Sequence, residues 1–208
     1  RARGKAPMVQ LFSITLARHL PAHQMPVHLA SCYDLSSFNI FQRGTVREVL
    51  QFAAKEVVSR SQPGDRHSIT YKEHMCHVLV KHDGLSVVVT SDQDYPQRVA
   101  FSLMLKCLDG FSNLHGDKWQ AATANVDLPC PQLEPLLKRY QNPSEADDVA
   151  KINRELDETK EILIKSLDQL LERGEKLEDL MDSADELSFQ TRVMMRQAER
   201  MNSCCILL

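Results

Sequence analysis

Two hydrophobic periodicities divide the chain. In the front part, apolar positions switch between strand and helix spacing. Val9, Leu11, Ile14 and Leu16 lie near period two, which predicts a half-buried strand, and Val27 and Leu29 predict its neighbour. Thr45 and Glu48 have the spacing of a capping box, in which hydroxyl and carboxylate satisfy the first free N–H groups of a helix. The helix they open carries Val46, Val49, Leu50, Ala53 and Val57 on one side, and Gln62-Pro63-Gly64 ends it. Ile69 with Tyr71, residues 75–80 and residues 85–89 predict three more strands. Asp83-Gly84 between the last two predicts a tight hairpin with positive φ at both turn residues. A second helix begins around Pro96, is lined by Val99, Leu103, Leu108 and Phe111, and is closed by Gly116. Leu133, Leu136, Leu137 and Tyr140 form a last short helical stripe. Strands that follow one another directly favour antiparallel pairing, with helices covering the faces of the sheet.

The rear part follows a single rule. Pro143 is the last proline, and Gly174 is the one glycine beyond it. With position a at Val149, Leu156, Leu163, Leu170, Leu177, Ala184, Thr191 and Ala198, position d falls on Ile152, Thr159, Ser166, Arg173, Leu180, Leu187, Met194 and Met201. Twelve of these sixteen are apolar, which predicts a coiled-coil strand. Such a segment, about 90 Å long if fully helical, has nothing to bury its seam against when alone. It is expected to unfold or fold back until partners arrive.

Arg173 interrupts the seam. A guanidinium offers five donors and accepts nothing, so a dry seam rejects it. Two readings stay open. In one, oxygens from facing helices surround it and fix the register. In the other, it snorkels out of a two-stranded coil.

Composition adds constraints. Residues 143–208 hold sixteen Asp/Glu and nine Lys/Arg, and the whole chain is −3, so the front is basic and the rear acidic. The two halves either attract one another or are simply solvated. No run of eighteen apolar residues predicts a membrane span. Residues 1–7 are set apart as a leader or added remnant. Cys32, Cys76, Cys107 and Cys130 form no CxxC pair and read as reduced, packed thiols. A metal site at Cys76 and His77 is disfavoured, because neighbours on a strand face opposite sides. There is no P-loop, dinucleotide fingerprint or GxSxG elbow, and a thiol hydrolase on Cys76 or Cys32 lacks an identifiable histidine. The chain is therefore expected not to be an enzyme.

The ending, Cys204-Cys205-Ile206-Leu207-Leu208, fits the C-a-a-X prenylation signal with Cys205 as the modified thiol. Cys204 beside it is a candidate for palmitoyl or a second prenyl. One chain anchors only marginally, so the second signal matters.

These parts together resemble a known family. Leu170-Leu171-Glu172-Arg173-Gly174-Glu175-Lys176-Leu177 resembles the central layer of an R-SNARE motif. Asp34-Leu35-Ser36-Ser37-Phe38, Tyr95-Pro96-Gln97-Arg98-Val99-Ala100-Phe101, Arg139-Tyr140-Gln141-Asn142-Pro143 and Asn202-Ser203-Cys204-Cys205 resemble the prenylated longin R-SNAREs, which lack a transmembrane anchor. The resemblance implies an α+β longin domain over 8–138, a profilin-like antiparallel five-stranded sheet sandwiched by helices. A linker over 139–147, a long SNARE coiled-coil helix over 148–203 and a lipidation tail over 204–208 would follow. It implies assembly with three glutamine-bearing SNARE helices, whose carbonyls would meet Arg173, to fuse intracellular membranes in ER–Golgi, intra-Golgi or endosomal and vacuolar transport. It also implies cycling between a lipid-anchored form on the cytoplasmic leaflet of Golgi, ER-derived vesicle or endosomal membranes and a closed cytosolic form. In the closed form the longin domain would hold its own SNARE segment and lipid in a groove containing Phe52. The alternative for Phe52 is ordinary core packing. No nucleic-acid partner is expected, and no cofactor beyond the covalent lipids. Two departures stand out. Leu208 favours geranylgeranyl where relatives more often suit farnesyl, and residues 17–24 differ from the family's short basic hairpin, leaving the first strand pairing open. A lipid-anchored homodimeric coiled-coil scaffold or tether is the competing function. It would bring Arg173 against a second Arg173, a contact of like charges.

Overall fold

The structure, a computed structural model, describes residues 10–21, 24–143 and 162–204, and of 199–204 the backbone alone. Val9, Val149, Ile152, Leu156, Thr159 and Cys205 lie outside the described residues. The chain runs β1 (Leu11–Arg18), β2 (Val27–Tyr33), α1 (Arg43–Ser59), β3 (Arg66–Tyr71), β4 (His74–Val80), β5 (Leu85–Asp92) and α2 (Gln97–His115). A 3-10 turn (Lys118–Ala121), α3 (Leu133–Tyr140), β6 (Leu163–Ser166), α4 (Leu167–Leu170), α5 (Leu177–Ser183) and α6 (Phe189–Cys204) complete it. The sheet order is β2-β1-β5-β4-β3-β6. The first five strands pair antiparallel, as expected, and β1 pairs with β2 despite the unusual connection between them. The sixth strand comes from the heptad segment and lies parallel to β3.

Helices cover both faces. On one, Ile14, Leu16, Val87 and Val89 pack against Phe101, Leu103, Met104 and Phe111 of α2 and Leu137 of α3. On the other, Val78, Val80, Val88 and Ile69 pack against Ala54, Val57 and Val58 of α1. The central strand β1 is therefore buried on both sides rather than half-buried. Pro96 precedes α2, and Gly116 ends it with φ 54°.

Several of the motif residues lock this layer together. The Gln141 amide accepts from Leu11 N at 3.0 Å and donates to Leu11 O at 2.7 Å and to the Asp34 carboxylate at 3.0 Å. The Tyr95 hydroxyl donates to Tyr140 O at 2.8 Å. Cys76 and His77 do point apart: Cys76 packs on the α1 side, while His77 stands edge-on to Phe101 of α2.

Two local expectations change. α1 starts at Arg43, with no side-chain cap, and Thr45 is buried within it. Glu48 is engaged elsewhere, as described below. At the β4–β5 hairpin, Gly84 N donates to Lys81 O at 3.0 Å, so the connection is a four-residue turn and not a two-residue one. Gly84 takes φ 90°, while Lys72 is the one described non-glycine residue with positive φ.

His77 is fully buried between the Ser68 and Ser91 hydroxyls, at 2.9 and 3.2 Å. Burial pushes its pKa down to about 4, against 6.5 ordinarily. The unfolded chain thus takes up the proton first. This contribution to stability is complete above pH 6.5 and drains away as pH falls toward about 4. Urea unfolding is expected to show roughly 2 kcal/mol less stability near pH 5 than near neutrality, and His77→Gln removes most of that difference.

Candidate partner-binding groove

α1 has a second apolar side. Its inner side meets the sheet, and its outer side presents Val46, Val49, Phe52 and Ala53 to a groove that continues along the edge of β3. Leu167, Leu170, Leu177, Leu180, Met194, Met195 and Ala198, from the heptad segment and its helices, line that groove. β6 pairs Leu163 to Ser166 with His67 to Thr70. A capping box between Ser166 and Gln169 then opens the single turn of α4. α5 and α6 cross the outside of α1. Phe52 (2% exposed) forms one cluster with Met181 and Leu187, with Leu177, Leu180, Ala184 and Met195 packed against it. Leu177, Leu180, Ala184 and Leu187 are all a or d residues of the heptad frame, and so is the buried Thr191. The surface a coiled-coil partner needs is thus already occupied.

Polar contacts border this cluster. Lys55 pairs with Glu186, and Arg60 with Glu56 and, at 2.8 Å, with Glu175. The basic front and acidic rear do meet here, although partly exposed pairs contribute modestly. The Glu48 carboxylate accepts from Ser188 N at 2.9 Å and from the Thr191 hydroxyl at 2.6 Å, at the start of α6. Desolvation pushes its pKa upward, but these hydrogen bonds together outweigh it and leave the carboxyl below its usual value. Burial lowers Lys55 and raises Glu56, the latter against the opposing pull of Arg60. At the β3–β6 edge, His67 lies 3.4 Å from the Lys165 ammonium, and burial first, then that charge, hold its pKa down against Asp65.

A cavity of about 320 Å³ remains between α1, β3 and the folded-back segment. Phe12, Phe38, Leu50, Leu170, Met194 and Ala198 are among its walls, which are almost wholly apolar. Arg173 stays out of all this. It is exposed in the turn between α4 and α5, makes no hydrogen bond or ion pair among the described residues, and precedes Gly174 with φ 91°. The heptad segment is therefore not one helix in this state. Folding back, one of the two outcomes expected for a lone seam, is what the chain does. α6 ends at Cys204, whose side chain is not described, and Cys205 lies beyond the description.

Of the sequence candidates, the structure brings Phe52 to the seam and keeps Arg173 apart from it. Sequence reasoning missed Glu48, spent on a capping box, and Met181 and Met195, which stand at position e. Widening the seam from a and d to a, d and e would have found both methionines. Neither Cys32 nor Cys76 is poised for attack: burial raises both thiols, Cys32 to about 12. No helix among the described residues is long and apolar enough to cross a membrane.

Comparison with known proteins agrees with this geometry. Residues 35–137 match the Longin family, described as a regulated-SNARE-like domain, and residues 148–206 match the Synaptobrevin family. The chain is 40% identical over 201 residues to the synaptobrevin homolog ykt6 of Schizosaccharomyces pombe, covering 96% of this chain and 100% of that protein. It is 39% identical over 202 residues to the synaptobrevin homolog YKT6 of Yarrowia lipolytica, with the same coverage of 96% and 100%. It is 38% identical over 200 residues to the VAMP-like protein YKT61 of Arabidopsis thaliana, again covering 96% and 100%.

Proposed function

Since the chain belongs to the longin-domain synaptobrevin homologs, R-SNAREs of membrane trafficking, we propose that it alternates between a closed form and a fusion-competent four-helix bundle. The observation that carries this reading is the burial of seam residues on Phe52. Three glutamine-bearing helices would need Leu177, Leu180, Ala184 and Leu187, and the longin domain covers those same side chains. The two states exclude one another.

Arg173 marks the second difference between the states. In the closed form its guanidinium stays hydrated in a turn. In the bundle it would sit at the centre of the seam and donate to three glutamine carbonyls, a layer that sets register. To reach it, β6 must leave β3 and the turn at Gly174 must become helix. Burial of the seam against three partners offsets that reorganisation.

Membrane attachment would come from Cys205 as prenyl carrier and Cys204 as carrier of palmitoyl or a second prenyl. Leu208 favours geranylgeranyl. The apolar cavity beside Phe52 offers the detached isoprenoid cover from water. The closed form would then be cytosolic, and the open form would act on the cytoplasmic face of Golgi, ER-derived vesicle and endosomal membranes.

Mixing the full chain with glutamine-bearing SNARE helices tests the reading. Far-UV circular dichroism is expected to show a gain of helix as a heteromeric bundle forms. Arg173→Ala is expected to weaken that bundle by about 1–3 kcal/mol, because it strands buried carbonyls. A concentration-dependent homodimer in place of the bundle would identify the chain as a tether instead.

A further inference from the structure

The heptad segment joins the sheet at one strand boundary, and a histidine sits on it. Among the described residues, β3 is the only strand beside β6. At this boundary His67 is 4% exposed, and its Nδ1 lies 3.4 Å from Lys165 Nζ. An ammonium group only donates, so the contact is favourable only while Nδ1 keeps its lone pair. The ring proton is then on Nε2, which faces the Asp65 carboxylate at 3.8 Å, too far for a hydrogen bond. A second proton on the ring would turn the acceptor into a donor. It would also set two positive charges side by side at a buried edge.

The surroundings do little to relieve that charge. Arg66 belongs to the opposite face of β3, since neighbours along a strand alternate. β4 places Val78 opposite His67, and its own His77 points to the α2 face. At the end of α1, Glu56 and Arg60 pair with each other, and Arg60 also pairs with Glu175. Asp168, on the short α4, is exposed. Asp65 does favour the charged ring, but burial first and then Lys165 outweigh it and hold the pKa below the ordinary 6.5.

Bundle assembly has to break this boundary. Leu163 and Ser166 are a and d residues of the heptad frame, while Lys165 falls at c and turns to water in a coiled coil. Once β6 leaves, His67 loses the neighbouring ammonium and part of its cover, so its proton affinity returns toward the ordinary value. The open form therefore binds the proton more tightly than the closed form, and acid favours release.

We propose that His67 and Lys165 form a proton-sensitive catch, which holds β6 on β3 when the imidazole is neutral and releases it as pH falls. The inference rests on the closed and open forms proposed above. The catch is fully set above pH 6.5. Below that, release gains at most about tenfold per pH unit, until the pH reaches the lower value that His67 has in the closed form.

The test follows amide hydrogen exchange of the full chain at pH 7.5 and pH 6.0, expressed as protection factors. Amides of β4 and β5 in the same samples report on the longin sheet. The parent is expected to lose about threefold in protection over residues 163–170 and little over β4 and β5. His67→Gln keeps an acceptor for Lys165 but cannot titrate, so it should match the parent at pH 7.5 and lose the response. Lys165→Met, on the edge strand, keeps the stem without the charge and should reduce the response while leaving the sheet intact. Equal protection of the parent at both pH values overturns the proposal, as does an unchanged fall in His67→Gln. An undiminished fall in Lys165→Met assigns the response to burial of His67 alone and overturns the catch too. Bundle formation by the parent with glutamine-bearing helices at pH 7.5 is followed in parallel. If the bundle forms while the pH response is missing, the catch is lost and the SNARE reading stands. If no bundle forms, that reading falls, and the exchange data still decide the contact.

Discussion

Phe52→Glu is expected to open the closed form. Phe52 is buried among Met181, Leu187 and their apolar neighbours, with no cation in that cluster to receive a carboxylate. Seating a charge there costs about 3–5 kcal/mol, by loss of ring packing and by desolvation. Since each 1.4 kcal/mol is about a tenfold change in equilibrium, the docked segment should lose most of its advantage. Hydrogen exchange over residues 177–198 should accelerate, and assembly with partner helices should be faster. Leu187→Asp alters the opposite wall of the cluster without touching the longin sheet, and it should produce the same release. If both variants exchange like the parent, Phe52 is plain core and the longin domain does not compete for the seam.

Cys205→Ser is expected to leave the protein wholly soluble in eukaryotic cells. The proposed prenyl thioether would form at that sulfur, and a single remaining acyl chain on Cys204 would anchor only marginally. Cys204→Ser should instead leave weak, reversible attachment. Membrane flotation and intact mass read both results, and full flotation of Cys205→Ser would remove the anchoring scheme.

Much of the fold was legible because it is set locally. Pro96 and Gly116 bracket α2, one by lacking an N–H where none is needed and the other by tolerating positive φ. Leu133, Leu137 and Tyr140 repeat at helical spacing and are buried as that spacing requires. The Asp83-Gly84 turn and the Thr45–Glu48 pair misled for one reason. Each is a short signal with two outcomes, and which one wins depends on partners far along the chain. Glu48 finds its donors at Ser188 and Thr191, some hundred and forty residues away.

By itself the sequence determined the five antiparallel strands and their helices, the heptad seam, the misplaced charge of Arg173 and the cysteines of the tail. Each follows from period, turn chemistry or a motif that can be read within a few residues. Only the tertiary structure decided where the seam goes when no partner is present. Leu163-Ile164-Lys165-Ser166 carries a helical pattern yet forms a strand, because β3 offers an open edge with unpaired backbone groups. Phe52 likewise reads as a core residue or a groove residue with equal ease. It becomes the latter because α1 is apolar on two sides and the sheet covers only one of them.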